Sequence, residues 1–429
     1  MSERYYNSEI FLARALQTIP LGTQTFSKSK TQYPFGVSPY FIHKGFGSHV
    51  WDVDGNEYID FINGLAAITL GYSDPDVNAA VLQQIEQGVL FSLPHPIEMQ
   101  VAEKLVEIVP CAEMVRFSKN ASDATSGAIR LARAYTGRDH VAVCGYHGWH
   151  DWYISSTTRN RGVPKPVRAL THSFNYNDLD SLHQIFTQYP NEVAAVIMEP
   201  MNVVEPKEGF LEDVKQLAHQ NSALLIFDET ITGFRFANGG AQEYFGVIPD
   251  LATFGKGLAN GYPVSAVTGK AEIMQLMEEV FFSFTFGGET LSLTAAKATM
   301  NKLQQLPVIA TLKKQGQKII SGVQQLIEHY QISHILSISG HSCWSFLLFK
   351  EVNPYSQLQI KTLFLQEMFA RGILTLGTHN MSYCHSDSDI ENLLTAYTQV
   401  FQILKDVIDN QSLEKYLKCQ PLEPLFKIR

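Results

Sequence analysis

The sequence predicts an α/β fold, with a mostly parallel β-sheet in a large domain and a smaller α+β domain after it. Two observations lead to this prediction. Between residues 75 and 310, short and continuously apolar runs alternate with stretches of helical periodicity, a pattern typical of parallel strands that helices cover on both faces. After residue 310 the order changes to a helix, a strand and two further helices, which indicates a separate α+β unit.

Residues 1–74 form an N-terminal segment in which we expect a small antiparallel unit. A short amphipathic helix at 8–18 precedes an irregular stretch at 22–37. Strand-like runs follow at 40–43, 49–53 and 58–61. The sequence Asp54-Gly55-Asn56 between the last two runs is a typical tight turn.

The large domain, residues 75–310, contains the elements of the parallel sheet. The expected strands are 114–117, 141–144, 193–198, 224–227 and 251–254. The expected helices are 75–89, 96–109, 123–136, 178–188 and 211–220. Ligands of such sheets bind at the carboxyl ends of the strands, so polar residues that directly follow these runs are the candidate site residues. The smaller domain, 311–429, is expected to contain helices 311–329, 357–370 and 387–408 and a strand near 343–349.

Composition narrows the class of protein. Of 429 residues, 45% are hydrophobic and 17% charged, the balance of a globular protein with a large core. The net charge of −9 is unlike the basic charge of nucleic-acid-binding proteins. Neither a membrane-spanning apolar run nor a signal peptide is recognisable. The five cysteines are dispersed and form no CxxC pair. We therefore expect a cytoplasmic protein with reduced thiols and no nucleic-acid or membrane partner.

Lys256 lies between Gly255 and Gly257, directly after an expected strand. It could be a surface lysine in a turn. Flanking glycines, however, let another molecule approach the backbone closely, and a lysine confined among apolar groups has the lowered pKa that suits Schiff-base formation. Gly257 stands where a nucleotide-hydrolase loop needs Ser or Thr, and the glycine spacing does not fit a dinucleotide fingerprint.

Other strand ends also carry polar groups. Asp228 and Glu229 follow the run 224–227, either as a functional pair or as ordinary polar residues at a strand end. Small polar residues around Ala121 and Ser122 open a helix, which creates an anion site from free N–H groups. Ser122 could equally be a simple N-cap.

An aromatic segment follows the run 141–144. Tyr146, beside Gly145, suits stacking on a flat ring. His147, His150 and Asp151 raise the alternative of a metal site, but there is no HExxH motif and no third ligand at a recognised spacing. The four phenylalanines within 281–286 are expected to be core residues.

Together these features resemble the class III (subgroup II) pyridoxal 5′-phosphate (PLP) aminotransferases of fold type I, and most of all their glutamate-1-semialdehyde 2,1-aminomutase-like members. The likeness extends from about residue 15 to 400. It is carried by HVWDVDGN at 49–56, RLARAYTGR at 130–138, YHG at 146–148, Glu199-Pro200, DETITGFR at 228–235 and FGKG at 254–257.

The resemblance implies a role for each candidate. Lys256 would bind PLP as a Schiff base and shuttle the substrate proton, while Asp228 would pair with the pyridine nitrogen. Tyr146 and Thr230 would lie against the two ring faces. The cofactor phosphate would be held by Ala121 and Ser122, and by Thr285 from the partner subunit of a homodimer with shared active sites. Glu199 would add a supporting hydrogen bond, and no metal is implied.

Departures from the family pattern bear on the reaction. Ala121 stands where the family usually has glycine in a Ser-Gly-Thr motif. Lys28 is the best match to the arginine with which the aminomutase binds the substrate carboxylate, and lysine lacks the arginine fork. The stretch 372–386 has no acidic residue where the aminomutase has a glutamate. His379 and Tyr383 could line a substrate pocket there or belong to a packed strand.

The sequence therefore predicts an aminotransferase that moves an amino group from an amino donor to a keto or aldehyde acceptor, sugar-like or amino-acid-derived, by a ping-pong mechanism. Two alternatives remain. One is intramolecular amino transfer of the aminomutase type. The other is a non-catalytic PLP-binding protein, which the presence of Lys256, Asp228 and Tyr146 disfavours.

Overall fold

The computed structural model describes residues 3–423 and divides the chain into two compact units. The larger unit extends from Pro75 to Ile309. The smaller unit combines the residues up to Asp74 with those from Ala310 onward, so the N-terminal segment and the C-terminal domain fold as one unit. Residues 424–429, which the sequence assigned to the C-terminal domain, lie outside the described residues.

The larger unit is built on a seven-stranded sheet, counted over residues 3–423. Its spatial order is Met114–Ser118, Ser265–Gly269, Leu251–Phe254, Leu224–Asp228, Val193–Met198, His140–Cys144 and Thr171–Ser173. The strand Ser265–Gly269 is antiparallel to both neighbours, and the last five strands in this order pair in parallel. The predicted α/β fold with a mostly parallel sheet is confirmed.

Helices cover both faces of this sheet. Along the strand His140–Cys144, Val141 and Val143 pack into one apolar cluster, whereas Ala142 and Cys144 pack into another. Because neighbouring side chains point to opposite faces, each face of the strand has its own core. The long helices of this unit are Pro75–Ile85, Pro96–Ile108, Ala121–Thr136, Leu179–Gln188, Phe210–Gln220 and Thr290–Gln305.

The smaller unit contains two sheets. One comprises Ile42–Phe46, His49–Asp52, Glu57–Asp60 and Ile373–Leu374, and the other Leu336–His341, Trp344–Phe349 and Thr378–Asn380. Its long helices are Tyr6–Ala15, Val308–Tyr330, Gln357–Ala370 and Asp387–Asp409. The stretch expected to be irregular contains the 3₁₀ turn Phe26–Lys28. Within residues 3–423, no helix is both long enough and apolar enough to cross a membrane.

Candidate active site

Several candidate residues of the larger unit lie close together at the carboxyl ends of its parallel strands. Asp228 ends the strand Leu224–Asp228, and Lys256 follows the neighbouring strand Leu251–Phe254 after a single glycine. The approach is close: a Cβ built on Gly255 would lie 3.3 Å from the Cβ of Ala121 and 3.7 Å from Cγ2 of Thr230. The lysine turn, the Asp228 strand end and the start of the helix Ala121–Thr136 therefore converge.

Asp228 is buried and is held by a ring of donors. His147 Nδ1 lies 2.8 Å from its Oδ2, and the backbone N–H of Thr230 donates to its Oδ1 at 3.1 Å. Burial alone would raise the pKa of the Asp228 carboxyl, but the hydrogen bond and charge of His147, with the bonds from Thr230, outweigh it and lower the pKa below its ordinary value. The carboxylate therefore remains ionised although it is 4% exposed.

His147 belongs to the site in a role that the sequence did not predict. Its Nε2 lies 3.2 Å from the carbonyl oxygen of Cys144, and its Nδ1 faces the Asp228 carboxylate. Both ring nitrogens therefore face an oxygen acceptor, one from a side chain and one from the backbone. The interaction joins residues 81 positions apart, and the only sequence signal for it was the position of His147 beside Tyr146. The structure uses His147 to orient Asp228, and over residues 3–423 it groups no three potential metal ligands.

Lys256 is partly buried and has an unusual backbone conformation. Its φ of +45° lies in the left-handed region that non-glycine residues rarely adopt. Burial lowers the pKa of the Lys256 ammonium to about 8, against the charges of Glu199 and Asp228, which raise it. More of this amine is consequently unprotonated, and hence nucleophilic, near neutral pH than of an ordinary lysine.

Glu199 follows the strand Val193–Met198 and is within electrostatic reach of Lys256. Burial raises the pKa of its carboxyl to about 7, and a hydrogen bond from Asn202 Nδ2 to Oε2 opposes that rise. Gly145 is required at this point, because a Cβ there would lie 2.8 Å from Glu199 Oε2 and the φ of Gly145 is +109°. Glu199 thus lies beside the loop that carries Tyr146.

The neighbouring Glu229 has a different task. It is fully buried, and its carboxylate accepts hydrogen bonds from the backbone N–H groups of Ala241 and Gln242 and from the hydroxyl of Thr232. All of these partners are backbone or side-chain groups of the protein itself. Glu229 therefore fixes the chain after Asp228 and is not directed at a ligand.

The start of the helix Ala121–Thr136 offers free backbone N–H groups. Asn120, and not Ser122, is its N-cap, and Asp123 Oδ2 accepts from the backbone N–H of Asn120 at 2.8 Å. Ala121 and Ser122 are the first two helical residues, where N–H groups have no partner within the helix. The N–H of Trp149 donates to Ser122 Oγ at 3.4 Å, so the loop after Tyr146 packs on this helix end.

Tyr146 and Thr285 are the most exposed of the candidates. The Tyr146 ring is 49% exposed and meets Tyr153 edge to face at 5.6 Å. Thr285 is exposed, and no side-chain hydrogen bond joins it to the other candidates in the part of the chain that the structure describes. Phe282 is buried, but Phe281 is 83% and Phe286 57% exposed. The expectation that all four phenylalanines are core residues is therefore wrong, because the segment runs along the surface of the larger unit.

Two residues of the smaller unit bear on the substrate question. His379 is fully buried, with its Nδ1 2.9 Å from Ser345 Oγ and its Nε2 2.6 Å from Tyr397 Oη. His379 therefore belongs to a packed strand, as the second of the two sequence-based interpretations had it, and does not line a substrate pocket. Lys28 is exposed and lines a cavity of about 390 Å³ in the smaller unit.

The residues at the sheet edge fit PLP. An amine with a lowered pKa suits its aldehyde, and an ionised carboxylate suits a protonated pyridine nitrogen. The two free N–H groups at the helix start suit its phosphate. A Cβ on Gly148 would collide with Ser122 Oγ, so glycine keeps this cradle open.

Comparison with known proteins agrees with this fit. The sequence profile of the class-III aminotransferases matches residues 32–400. The chain is 35% identical over 404 residues to 3-aminobutyryl-CoA aminotransferase of Cloacimonas acidaminovorans, covering 92% of this chain and 96% of that relative. It is 34% identical over 430 residues to glutamate-1-semialdehyde 2,1-aminomutase of Desulforamulus reducens, covering 94% and 99%.

Solved structures show the same fold. The FumI protein of Sphingopyxis sp. MTA144, in its PLP internal aldimine form, superimposes with a TM-score of 0.88 at 26% identity, covering 97% of this chain and 99% of that one. An omega-transaminase from Sphaerobacter thermophilus superimposes with a TM-score of 0.85 at 26% identity, covering 94% and 100%. The chain belongs to the class-III aminotransferases, PLP-dependent enzymes of fold type I that act on small-molecule substrates.

Proposed function

We propose that this chain is a transaminase in which Lys256 holds the cofactor and moves the substrate proton. When bound, PLP supplies a carbonyl that condenses with amines and a ring that accepts electron pairs. Lys256 supports the proposal through its burial, its lowered pKa and its place beside Asp228 and Glu199. An amine that is readily protonated and deprotonated near neutral pH can take a proton at one substrate carbon and return it at another.

Asp228 is proposed as the partner of the pyridine nitrogen. The observation that carries this role is its ionised carboxylate, which His147 holds at 2.8 Å. A fixed negative charge keeps a facing ring nitrogen protonated. His147 acts through Asp228 and is a positioning residue.

The remaining candidates are proposed to bind and orient. The N–H groups of Ala121 and Ser122, with the Ser122 hydroxyl, would hold the phosphate, because they lie at a helix N-terminus. Tyr146 would lie against one ring face and Thr230 against the other. Thr230 suits this position, since its Cγ2 lies close to Gly255 while its N–H is tied to Asp228. Glu199 would add a supporting hydrogen bond at the site, within electrostatic reach of Lys256.

A transaminase and an aminomutase differ in what leaves the enzyme. We propose donor-to-acceptor transfer, with a sugar-like or amino-acid-derived acceptor. Lys28 stands in place of the arginine with which the aminomutase binds the substrate carboxylate, and the stretch 372–386 lacks the aminomutase's glutamate. The similarity to an aminotransferase, at 35% identity, supports this proposal. The similarity to an aminomutase, at 34% identity, keeps intramolecular transfer as the second candidate function.

A half-reaction separates these two functions. Purified holoenzyme is mixed with single amino donors and no acceptor, and the visible spectrum and the products are followed. A transaminase loses the absorbance of the lysine-linked cofactor and releases about one keto product per site. If glutamate-1-semialdehyde is isomerised and no donor in the panel yields a keto product, intramolecular transfer is the function.

The lowered pKa of Lys256 predicts how the cofactor-free protein recovers PLP. Only the unprotonated amine reacts, so the recapture rate should rise about tenfold from pH 7 to pH 9 and level off there, as a pKa near 8 requires. Stopped-flow absorbance measures the rate. A rate that still rises steeply above pH 9 would contradict the lowered pKa. Glu199→Gln removes a charge that raises this pKa, so the midpoint should move to lower pH.

We propose further that the enzyme is a homodimer in which Thr285 completes the partner's site. The support is that large apolar side chains of the larger unit are exposed, among them Leu93, Phe281 and Phe286, and that Phe286 directly follows Thr285 in the sequence. Large exposed apolar side chains mark interaction surfaces. Exposure of Thr285 within one chain suits a residue that acts across such an interface.

Subunit mixing tests the shared site. Thr285→Glu would repel the cofactor phosphate, and Lys256→Ala removes the reactive amine, so each homodimer should have little activity. A mixed dimer would contain one intact site, and an equal mixture should recover about a quarter of wild-type activity. Sites confined to one chain would show no recovery, and sedimentation of a single chain would contradict the dimer itself.

A cytoplasmic location is also proposed. The five cysteines are dispersed along the sequence without a CxxC pair, and three of them are buried. Dispersed cysteines of this kind are typical of proteins in a reducing compartment. Counting thiols in protein purified without reductant checks this, with five expected.

A further inference from the structure

A groove beside the candidate active site has no role in the functions described above. It has a volume of about 450 Å³ and is lined by Ile129, Arg130, Arg133, Trp149, Trp152 and Val167. We call it the Trp149 groove. Its size falls within the range of small-molecule sites, roughly 300–1,000 Å³.

One wall of the Trp149 groove is positively charged. Arg130 and Arg133 lie three residues apart on the helix Ala121–Thr136, so their side chains share one helix face. Each guanidinium gives one hydrogen bond to a backbone carbonyl: Arg130 to Phe281 at 3.0 Å and Arg133 to Asp139 at 2.8 Å. Within the described residues neither forms an ion pair with a carboxylate, so most of their N–H donors remain available.

The lining of the groove also includes an exposed indole. Trp149 is 67% exposed, and its ring meets the His150 ring edge to face at 4.7 Å. His150 is itself fixed, with Nδ1 2.6 Å from Ser126 Oγ and Nε2 3.5 Å from Asp123 Oδ1. Trp149 thus contacts a fixed neighbour while most of its surface remains exposed, which leaves it available for stacking with a ligand.

The charges around the groove favour an anion. Arg130 and Arg133 share the lining with one carboxylate, that of Asp151, and the Asp139 carboxylate outside the lining is within electrostatic reach of Arg133. Ile129 and Val167 add apolar groups to the lining. An inorganic anion would use only the arginines and leave the indole and the apolar groups in water.

We propose that the Trp149 groove binds a flat heteroaromatic ring that carries a phosphate group. The ring stacks on Trp149, and the phosphate binds Arg130 and Arg133, since guanidinium forks match phosphate oxygens. This chemistry is shared by purine nucleotides and by phosphorylated pyridines. The groove also adjoins the proposed cofactor cradle, because the N–H of Trp149 donates to Ser122 Oγ. An occupant of the groove would therefore contact the same loop that packs on the start of the helix Ala121–Thr136.

Calorimetric titration of the holoenzyme tests the proposal. The probes are AMP, pyridoxine 5′-phosphate (which has no aldehyde and cannot be captured by Lys256), adenosine and inorganic phosphate. We expect a phosphorylated ring to bind at least about tenfold more tightly than adenosine or phosphate alone. Preference for AMP identifies a nucleotide site, and preference for pyridoxine phosphate identifies a site for the cofactor's relatives.

Variants locate the binding. Arg133→Gln and Trp149→Ala should each weaken it about tenfold or more, with cofactor content and melting temperature kept as checks on folding. Arg14→Gln, at an exposed arginine of the smaller unit, is the matched control and should bind as the wild type does. If neither phosphorylated ring binds, for example because a second subunit covers the groove, the proposal is overturned. Equal affinities in the wild type and the groove variants overturn it too.

Discussion

Lys256→Ala should abolish turnover and the covalent link between protein and cofactor. Loss of a positioned proton-transfer group alone costs about 10²–10⁴-fold in rate, and this variant also loses the nucleophile. Steady-state assays measure the first effect. Mass spectrometry after borohydride reduction measures the second, because only a lysine-linked cofactor is fixed as a stable adduct.

The control for this variant is Lys405→Ala. Lys405 forms an exposed ion pair with Asp409 at 2.7 Å on the last long helix, and such pairs contribute at most about 1 kcal/mol. Wild-type activity is expected there. Retained turnover in Lys256→Ala, with a properly folded protein, would assign the chemistry to another residue.

Asp228→Asn is the second substitution with a large expected effect. The shape of the side chain is kept, but the negative charge that would hold a ring nitrogen protonated is lost. Removing one preorganised electrostatic group from an active site costs about 10²–10³-fold in rate, and kcat should fall at least that far. The visible spectrum of the bound cofactor should also change, since it reports the protonation of the ring.

The chain offers a close control for Asp228. Asp250 is another buried aspartate with a histidine partner, His219 Nε2, at the same 2.8 Å, but it precedes the strand Leu251–Phe254 and lies at the opposite edge of the sheet. Asp250→Asn should lower the melting temperature and leave kcat unchanged. If the two variants lose activity equally, the effect of Asp228 is structural, and its pairing with the cofactor is disproved.

Local patterns predicted much of the fold and of the candidate site. The apolar runs at 193–198 and 224–227 became buried strands within one residue of their expected bounds. Because parallel strands end at one edge, Lys256, Asp228 and Ala121 could be expected to meet there. The comparisons confirm the family and the cofactor, whereas the individual roles await the variants above.

The elements that were missed lacked a local signal. The strand Ser265–Gly269 contains only two apolar residues, Ala266 and Val267, and is buried between its two neighbours. Ile373–Leu374 is two residues long and is a strand because it pairs with Glu57–Asp60, more than 300 positions earlier. The bond between His147 and Asp228 depends on tertiary folding in the same way. The hydrophobicity of Phe281 predicted a buried side chain, but Phe281 is exposed in the single chain. Hydrophobicity does not tell whether a residue is buried within its own chain or against another one.

The left-handed backbone of Lys256 shows how function and stability compete at one position. A non-glycine residue with this conformation costs about 1–3 kcal/mol, and glycine would adopt it at little cost. Glycines already stand on both sides, so the backbone itself favours the one residue that would remove the reactive amine. Selection for chemistry must therefore act continuously against selection for stability at position 256. A descendant that lost its activity would be expected to drift here first, towards a more stable and inert protein.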